Sequence, residues 1–214
     1  MSADVVSERP QVGVDKQTPE PAATAMSGPV IGNPGPLGLS AFALTTFFLS
    51  MVNANFVSPG VEPIVFAVAL TFGGIAQILA GMWAFRTGNT FAGTAFTAFG
   101  AFWLSFWALV QFFVKDIPAA QAGNAVGLYL IGWGMFTLLM FVASFRTSRA
   151  INVVFGFLLI TFILLGIGNA GAHVTMIHWG GYFGLITAAA AGYTALAEVT
   201  NDTFGRTVMP IKPL

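Results

Sequence analysis

From Ala150 to Ala197 the chain reads AINVVFGFLLITFILLGIGNAGAHVTMIHWGGYFGLITAAAAGYTALA, which is 48 residues without Asp, Glu, Lys or Arg. A helix needs about 20 mostly apolar residues to cross about 30 Å of hydrocarbon, so this stretch is long enough for two crossings. Its natural break lies between Gly166 and His173, where Gly and Asn cluster. The stretch therefore predicts two membrane helices, at about 150–168 and 174–197.

The rest of the chain is divided in the same way by a few charges. Only 7% of the 214 residues are charged and 56% are hydrophobic, whereas a soluble domain has roughly 25% charged residues. The charge-free stretches predict four further helices at about 37–55, 62–84, 89–113 and 123–143. The predicted fold class is all-α, a polytopic membrane protein with a bundle of six transmembrane helices.

This composition excludes several classes of protein. Water solvates so apolar a surface poorly, which excludes a soluble monomer. With 8 Lys and Arg in the whole chain, no basic patch can neutralise a phosphate backbone, so nucleic acid is excluded as a partner. The absence of cysteine excludes disulfides, thiolate metal sites and thiol nucleophiles.

The basic residues predict the orientation in the plasma membrane. If the N-terminus is cytoplasmic, the outer loops contain only Lys115, and every other basic residue lies inside. Positive charge accumulates on the cytoplasmic side of membrane proteins. We therefore expect a multi-pass protein of the plasma membrane with both termini in the cytoplasm.

The chain is expected to have three regions. Residues 1–32 are rich in Pro and acidic residues and have no aromatic residue, which predicts a disordered cytoplasmic tail. Residues 33–200 form the transmembrane transport domain, and residues 201–214 form a cytoplasmic C-terminal tail.

No Lys, Arg, Asp or Glu lies deep within a predicted helix. This excludes a retinal-binding lysine, an arginine voltage sensor and a buried acid pair for ion pumping. His173 and His178 lie near the outer end of the sixth helix. Each is either a histidine at the interface that is bonded to a neighbour, or part of a proton relay or an anion donor at an outer mouth.

Neutral polar residues are the remaining candidates for a path. Thr45, Thr46, Ser50 and Asn53 recur at helical spacing on the first helix. Such a stripe either forms hydrogen bonds between helices or lines a water-filled path. The same two alternatives, a hydrogen bond between helices or a place in the path, apply to Gln77 in the second helix and to Asn169 at the end of the fifth.

The sixth helix has Gly180, Gly184, Ala188 and Gly192 at intervals of four residues. Small residues at this spacing let neighbouring backbones approach closely. The ridge indicates close packing, either inside one bundle or between subunits.

The entrance to the first helix is Asn33-Pro34-Gly35-Pro36-Leu37-Gly38-Leu39. Asn is a good N-cap and Pro is tolerated in a first helical turn. A helix N-terminus also attracts anions. Asn33 is therefore either a plain cap or a group that contacts an anion.

This heptapeptide resembles the NPAPLGL signature of the acetate uptake transporter family, with Gly35 in place of the usual Ala. The resemblance continues through 73–77, 88–91, 94–97 and 204–210 and covers about 33–212. It implies six membrane helices, a homohexamer with one path per protomer, and transport of acetate and other small carboxylates, succinate in some members. Members are described as proton-linked transporters or as anion channels, and no enzyme activity, cofactor or metal is implied.

The resemblance also implies a constriction in the path. The Phe and Leu of the family constriction fall at Phe42 and Leu158, and its Tyr falls at Phe99, which removes a hydroxyl. A bare carboxylate would lose several kcal/mol of hydration there without an ion pair in return. Either the acid crosses protonated, or neutral donors replace part of its hydration shell. A channel for urea or short amides is the alternative function, because a neutral amide also suits a path without cations.

Overall fold

The structure is a computed structural model that describes residues 31–211. Nearly all of the predicted tail at 1–32 lies outside the described residues. Six helices in the described range are long and apolar enough to cross a membrane, which confirms the predicted fold class. They are α1 (Gly35–Asn53), α2 (Pro59–Arg86), α3 (Thr90–Asp116), α4 (Ala119–Ser144), α5 (Arg149–Ala170) and α6 (Val174–Phe204).

Two of the three helices that begin at the inner end, the end predicted to face the cytoplasm, have a side-chain cap. At α1 the N-cap residue is Pro34 and not the predicted Asn33, because Pro34 directly precedes the first helical residue, Gly35. The Asn33 side-chain oxygen accepts a hydrogen bond from the Gly35 N–H at 2.9 Å from one residue further back. Asn89 accepts from the Ala92 N–H at the start of α3, and Ser148 accepts from the Ile151 N–H at the start of α5. These caps satisfy N–H groups that a helix leaves unpaired in its first turn.

Two helices change their pitch within the bundle. α2 contains a π-helical turn at Thr71–Ala76, and α3 contains one at Leu109–Phe113. In α2 this turn includes Gly73 and Gly74, and a side chain at either glycine would overlap Thr45 of α1 or Leu104 of α3. The missing side chains let α2 pack closely against both neighbours.

The last helix is longer than the sequence predicts. It ends at Phe204, and Gly205 follows in the left-handed conformation with φ 61°, the usual C-terminal stop of a helix. The predicted end at 197 marks only where the charges begin, because Glu198 and Asp202 belong to the same continuous helix. The first four residues of the predicted tail 201–214 are therefore helical.

Neighbouring helices form a connected sequence in space, α3–α2–α1–α6–α5–α4. The glycines of α6 serve this packing inside the protomer. A side chain at Gly181 would overlap the backbone at Ala54, and one at Gly184 would overlap Ser50 on α1. A side chain at Gly180 would overlap Leu165 on α5.

The segment after α6 folds back along it. The Asn201 side-chain oxygen accepts hydrogen bonds from the N–H groups of Val208 and Met209, at 2.7 and 2.9 Å. The Tyr193 hydroxyl donates to the Pro210 carbonyl at 2.9 Å. This part of the chain is therefore held against the inner half of α6.

Candidate functional site

A cavity of about 290 Å³ extends from the inner end of the bundle toward its middle. We call it the inner cavity. Five of the predicted path and constriction residues line it together, and they come from four helices and the entrance to α1. These residues are Asn33, Phe42, Gln77, Phe99 and Leu158.

The three residues of the predicted constriction, Phe42, Phe99 and Leu158, are buried and line the inner cavity together, and we call them the apolar collar. The rings of Phe42 and Phe99 meet edge to face with their centroids 5.7 Å apart. Leu158 is only 4% exposed. Phe42 lies seven residues into α1, about 10 Å along a helix that rises 1.5 Å per residue, so the collar is inside the membrane.

An aromatic shell holds Phe99 in place. Phe155 and Phe162 lie one turn before and one turn after Leu158, on the same face of α5, and both rings contact Phe99. Five rings surround Phe99 with centroids between 5.6 and 6.4 Å away: Phe42, Trp133, Phe136, Phe155 and Phe162. The collar therefore has a rigid, apolar wall.

Gln77 is the most buried polar side chain of the inner cavity, with 1% exposure. Within residues 31–211 its side-chain carbonyl oxygen has no hydrogen-bond partner. A buried polar atom without a partner costs about 1–3 kcal/mol. The arrangement is suited to a ligand that donates a hydrogen bond, such as the O–H of a protonated acid.

The inner mouth of the cavity contains a charged residue that sequence reasoning missed. Glu198 is the only charged side chain among the described residues that line the cavity. The Asn33 amide donates to the Glu198 carboxylate at 3.3 Å and to the Asp202 carboxylate at 3.1 Å. Glu198 is the first charge after the long apolar stretch, but that position alone does not show which way it faces.

The polar stripe of α1 lies outside the lining of the inner cavity. The Thr45 hydroxyl donates to the Ala41 carbonyl of its own helix at 2.8 Å, and its side chain fills the space at Gly73. Ser50 lies against Gly184 in the same way. Thr46 is buried, and its hydroxyl has no partner among the described residues. The contacts of Thr45 and Ser50 favour helix packing over a path.

The remaining candidates lie in the outer half. The Asn169 amide donates to the Leu165 carbonyl of α5 at 2.8 Å. Asn53 ends α1, His178 is in the second turn of α6, and both are half-buried. None of these three residues lines the inner cavity.

On α3, Thr97 packs closely against the neighbouring helix α2. A side chain at Gly81 of α2 would overlap the Thr97 hydroxyl. Phe99, on the other side of α3, faces the inner cavity. Thr97 therefore packs on α2, while Phe99 lines the cavity.

Comparisons with known proteins identify relatives along most of the chain. A model of the GPR1/FUN34/yaaH family matches residues 16–214. The succinate-acetate/proton symporter SatP of Escherichia coli K12 is 42% identical over 186 residues, which are 87% of this chain and 98% of that protein. Acetate permease A of Emericella nidulans is 40% identical over 194 residues, covering 84% of this chain and 65% of that protein.

A solved structure agrees with the sequence relatives. The structure described as the bacterial acetate channel SatP superimposes with a TM-score of 0.79 at 41% identity. The match covers 85% of this chain and 99% of that one. The six-helix architecture is therefore shared.

Proposed function

Because the chain belongs to the GPR1/FUN34/yaaH family, we propose that it moves acetate and other small carboxylates, including succinate, across the plasma membrane. The observation that supports this most directly is the inner cavity, which Phe42, Phe99 and Leu158 line together. Relatives named as a symporter and a permease, and a structural neighbour described as a channel, indicate transport rather than catalysis.

The collar favours passage of the neutral acid, in which the proton and the carboxylate travel together. A carboxylate that leaves water for an apolar site loses several kcal/mol unless a charge or hydrogen bonds compensate. Within residues 31–211 no cation lines the inner cavity. Protonation removes the charge, and the oxygen of Gln77, which lines the same cavity, can accept a hydrogen bond from the O–H of the acid.

The same collar selects substrates by size. Phe42, Phe99 and Leu158 come from three different helices, and the aromatic shell prevents Phe99 from moving aside without repacking several rings. Small acids pass, while larger or strongly hydrated solutes are rejected. Asn33 and Gln77 line the route to the collar from the inside, and Thr46, Asn53, Asn169 and His178 are the candidates left for the outer half.

The assembly is proposed to be a homohexamer with one such path in each protomer. In α4 the outward-facing apolar side chains, among them Leu128 and Met135, are 76% and 68% exposed in the single chain. Such a surface suits lipid or a neighbouring copy. Native mass spectrometry in mild detergent is expected to show a hexamer, and a spectrum of monomers alone would exclude the ring.

Reconstituted liposomes test the function. We expect labelled acetate to enter faster than in protein-free liposomes, with acidification of the interior reported by a trapped pH dye. Protein-free liposomes are the necessary control because neutral acetic acid crosses lipid unaided. Uptake of labelled urea without uptake of acetate would overturn the proposal, and acetate current without acidification would exclude the proton link.

A further inference from the structure

We propose that Glu198 is a tethered carboxylate that occupies the place of the substrate carboxylate at the inner mouth. This inference rests on the proposed function. The substrate and Glu198 compete for one position, and each is released when the other binds. Glu198 therefore lowers the affinity of the inner mouth and promotes release.

The position is defined by Asn33 and the first turn of α1. The Asn33 amide donates to Glu198 Oε2 at 3.3 Å. A Cβ atom built on Gly35 would overlap the same carboxylate oxygen. The carboxylate therefore lies directly on the N-terminus of a 19-residue helix, where the helix dipole favours negative charge.

The donors at this position are few. Pro34 and Pro36 have no N–H group, and the Gly35 N–H is already bonded to Asn33 Oδ1. The Asn33 amide donates to two carboxylates, Glu198 and, at 3.1 Å, Asp202, which uses both of its N–H hydrogens. A substrate carboxylate that binds to this amide must displace one of the two, and of these only Glu198 lines the cavity.

A second observation indicates that the cavity receives a ligand. Gln77 is 1% exposed, lines the same cavity and has a side-chain oxygen without a partner among the described residues. This oxygen suits an acid O–H near the collar, while Asn33 suits a carboxylate at the mouth. An acid moving inward therefore meets an acceptor first and a carboxylate-binding donor last.

Gly35 is what admits Glu198 to this position. The signature that the chain resembles has Ala here, and its methyl group would take the space of the Glu198 oxygen. Gly35 is in the ordinary helical conformation, since only Gly88 and Gly205 have positive φ among the described glycines. The substitution G35A is thus compatible with the backbone; its methyl group takes the place of the Glu198 oxygen and also comes within 2.9 Å of Asn33 Oδ1.

The test is a titration of the full chain in detergent with labelled acetate, in which NMR saturation transfer gives the dissociation constant. A tethered group has an effective concentration in the millimolar range or above. If this is about ten times the dissociation constant of the free position, E198Q binds acetate about tenfold more tightly than wild type. G35A is expected to shift binding in the same direction.

The double variant G35A/E198Q separates displacement from other effects. If Gly35 acts only by admitting Glu198, the double variant binds acetate as E198Q does, because the two effects share one cause. D202N is the comparison variant. Asp202 shares the Asn33 amide but does not line the cavity, so a tenfold gain in D202N would show that loss of either carboxylate is sufficient and would overturn the assignment to Glu198.

Two further results would overturn the inference that Glu198 competes with the substrate. Unchanged acetate affinity in E198Q shows that Glu198 does not compete. Loss of transport in E198Q with normal insertion makes Glu198 a group that transport requires. A wild-type chain that does not move acetate in liposomes defeats the proposed function instead, so the two failures are distinguishable.

Discussion

At the scale of single residues, Leu158 is the collar residue whose size can be changed without adding charge. Leu158→Ala shortens an apolar side chain that is 4% exposed. We expect the ratio of lactate to acetate uptake to rise by roughly tenfold, since one carbon in a tight apolar site is worth about this much in discrimination. The measurement is uptake of both labelled acids at matched expression.

The control for Leu158 is a leucine that faces outward. Leu139 on α4 is 61% exposed, and Leu139→Ala should leave the uptake ratio unchanged. Leu158→Ala also creates a cavity and should lower the free energy of unfolding by about 2–5 kcal/mol. A ratio equal to wild type in Leu158→Ala would place the constriction elsewhere.

Gln77 provides a second test at this scale. In Gln77→Leu the unpaired buried oxygen is removed, so the fold is retained or stabilised. The hydrogen bond to the substrate is lost as well, and acetate binding should weaken by roughly tenfold, corresponding to about 1.5 kcal/mol. The acetate titration used above measures it.

Gln121→Leu at the exposed start of α4 is the matched control for Gln77 and should bind acetate like wild type. Tighter or equal binding in Gln77→Leu would mean that this side chain has only a structural role. In that case the neutral acid must cross the collar without an acceptor beside it.

Some residues that line the inner cavity could be predicted from the sequence, and others could not. Phe42 and Leu158 follow from the resemblance to the family, and Gln77 stands out as a lone amide in an apolar helix. Glu198 could not be assigned in this way, because its contact with Asn33 joins positions 165 residues apart. A sequence shows that a charge follows an apolar stretch, but packing decides whether it faces the cavity.

At the scale of helices, the glycines of α6 are expected to determine stability. Gly181→Ala places a methyl group on the backbone at Ala54, and backbone cannot move aside as a side chain can. We expect the free energy of unfolding to fall by about 1–3 kcal/mol or more. Thermal unfolding of the purified protein in detergent measures the effect.

Gly192→Ala is the control on the same helix. The new methyl group would have only Ala43 near it, at 3.8 Å, which is ordinary contact. Ala is a better helix former than Gly by about 1 kcal/mol, so this variant should match or exceed wild type. Equal stability of the two variants would mean that α6 and α1 separate more easily than their close contact indicates.

The six helices could be predicted because their cause is local. Each helix is predicted by an apolar stretch long enough to cross the membrane, and the charged residues mark where the stretches end. The π-helical turns at Thr71–Ala76 and Leu109–Phe113 could not be predicted, since they depend on how α2 and α3 meet their neighbours. The ridge of α6 was visible in the sequence, but only the structure assigns its contacts to α1 and α5.

At the scale of the whole molecule, the orientation can be tested because the chain contains no cysteine. Single cysteines at exposed positions report which side of the membrane they face. Arg86→Cys should react with a membrane-impermeant thiol reagent only from the cytoplasmic side, because positive loops stay inside. Labelling is measured in intact cells and in inverted vesicles.

Lys115→Cys is the opposite case, at the exposed end of α3. It should be labelled in intact cells. The reverse labelling pattern for both variants would show that the protein has the opposite orientation, with the mouth at Asn33 and Glu198 facing the outside. Both termini would move with it, since the number of crossings is even.

The inner cavity also shapes the electric field across the membrane. Where water fills it, the cytoplasmic potential reaches inward to Phe42, about 10 Å along α1, and the voltage falls across the rest of the membrane. An anion that crosses this remaining part gains or loses most of about 2.3 kcal/mol per 100 mV, whereas a neutral acid gains nothing. Conduction of the ion is therefore steeply voltage-dependent, passage of the neutral acid is not, and Glu198 at the inner mouth remains outside the voltage drop.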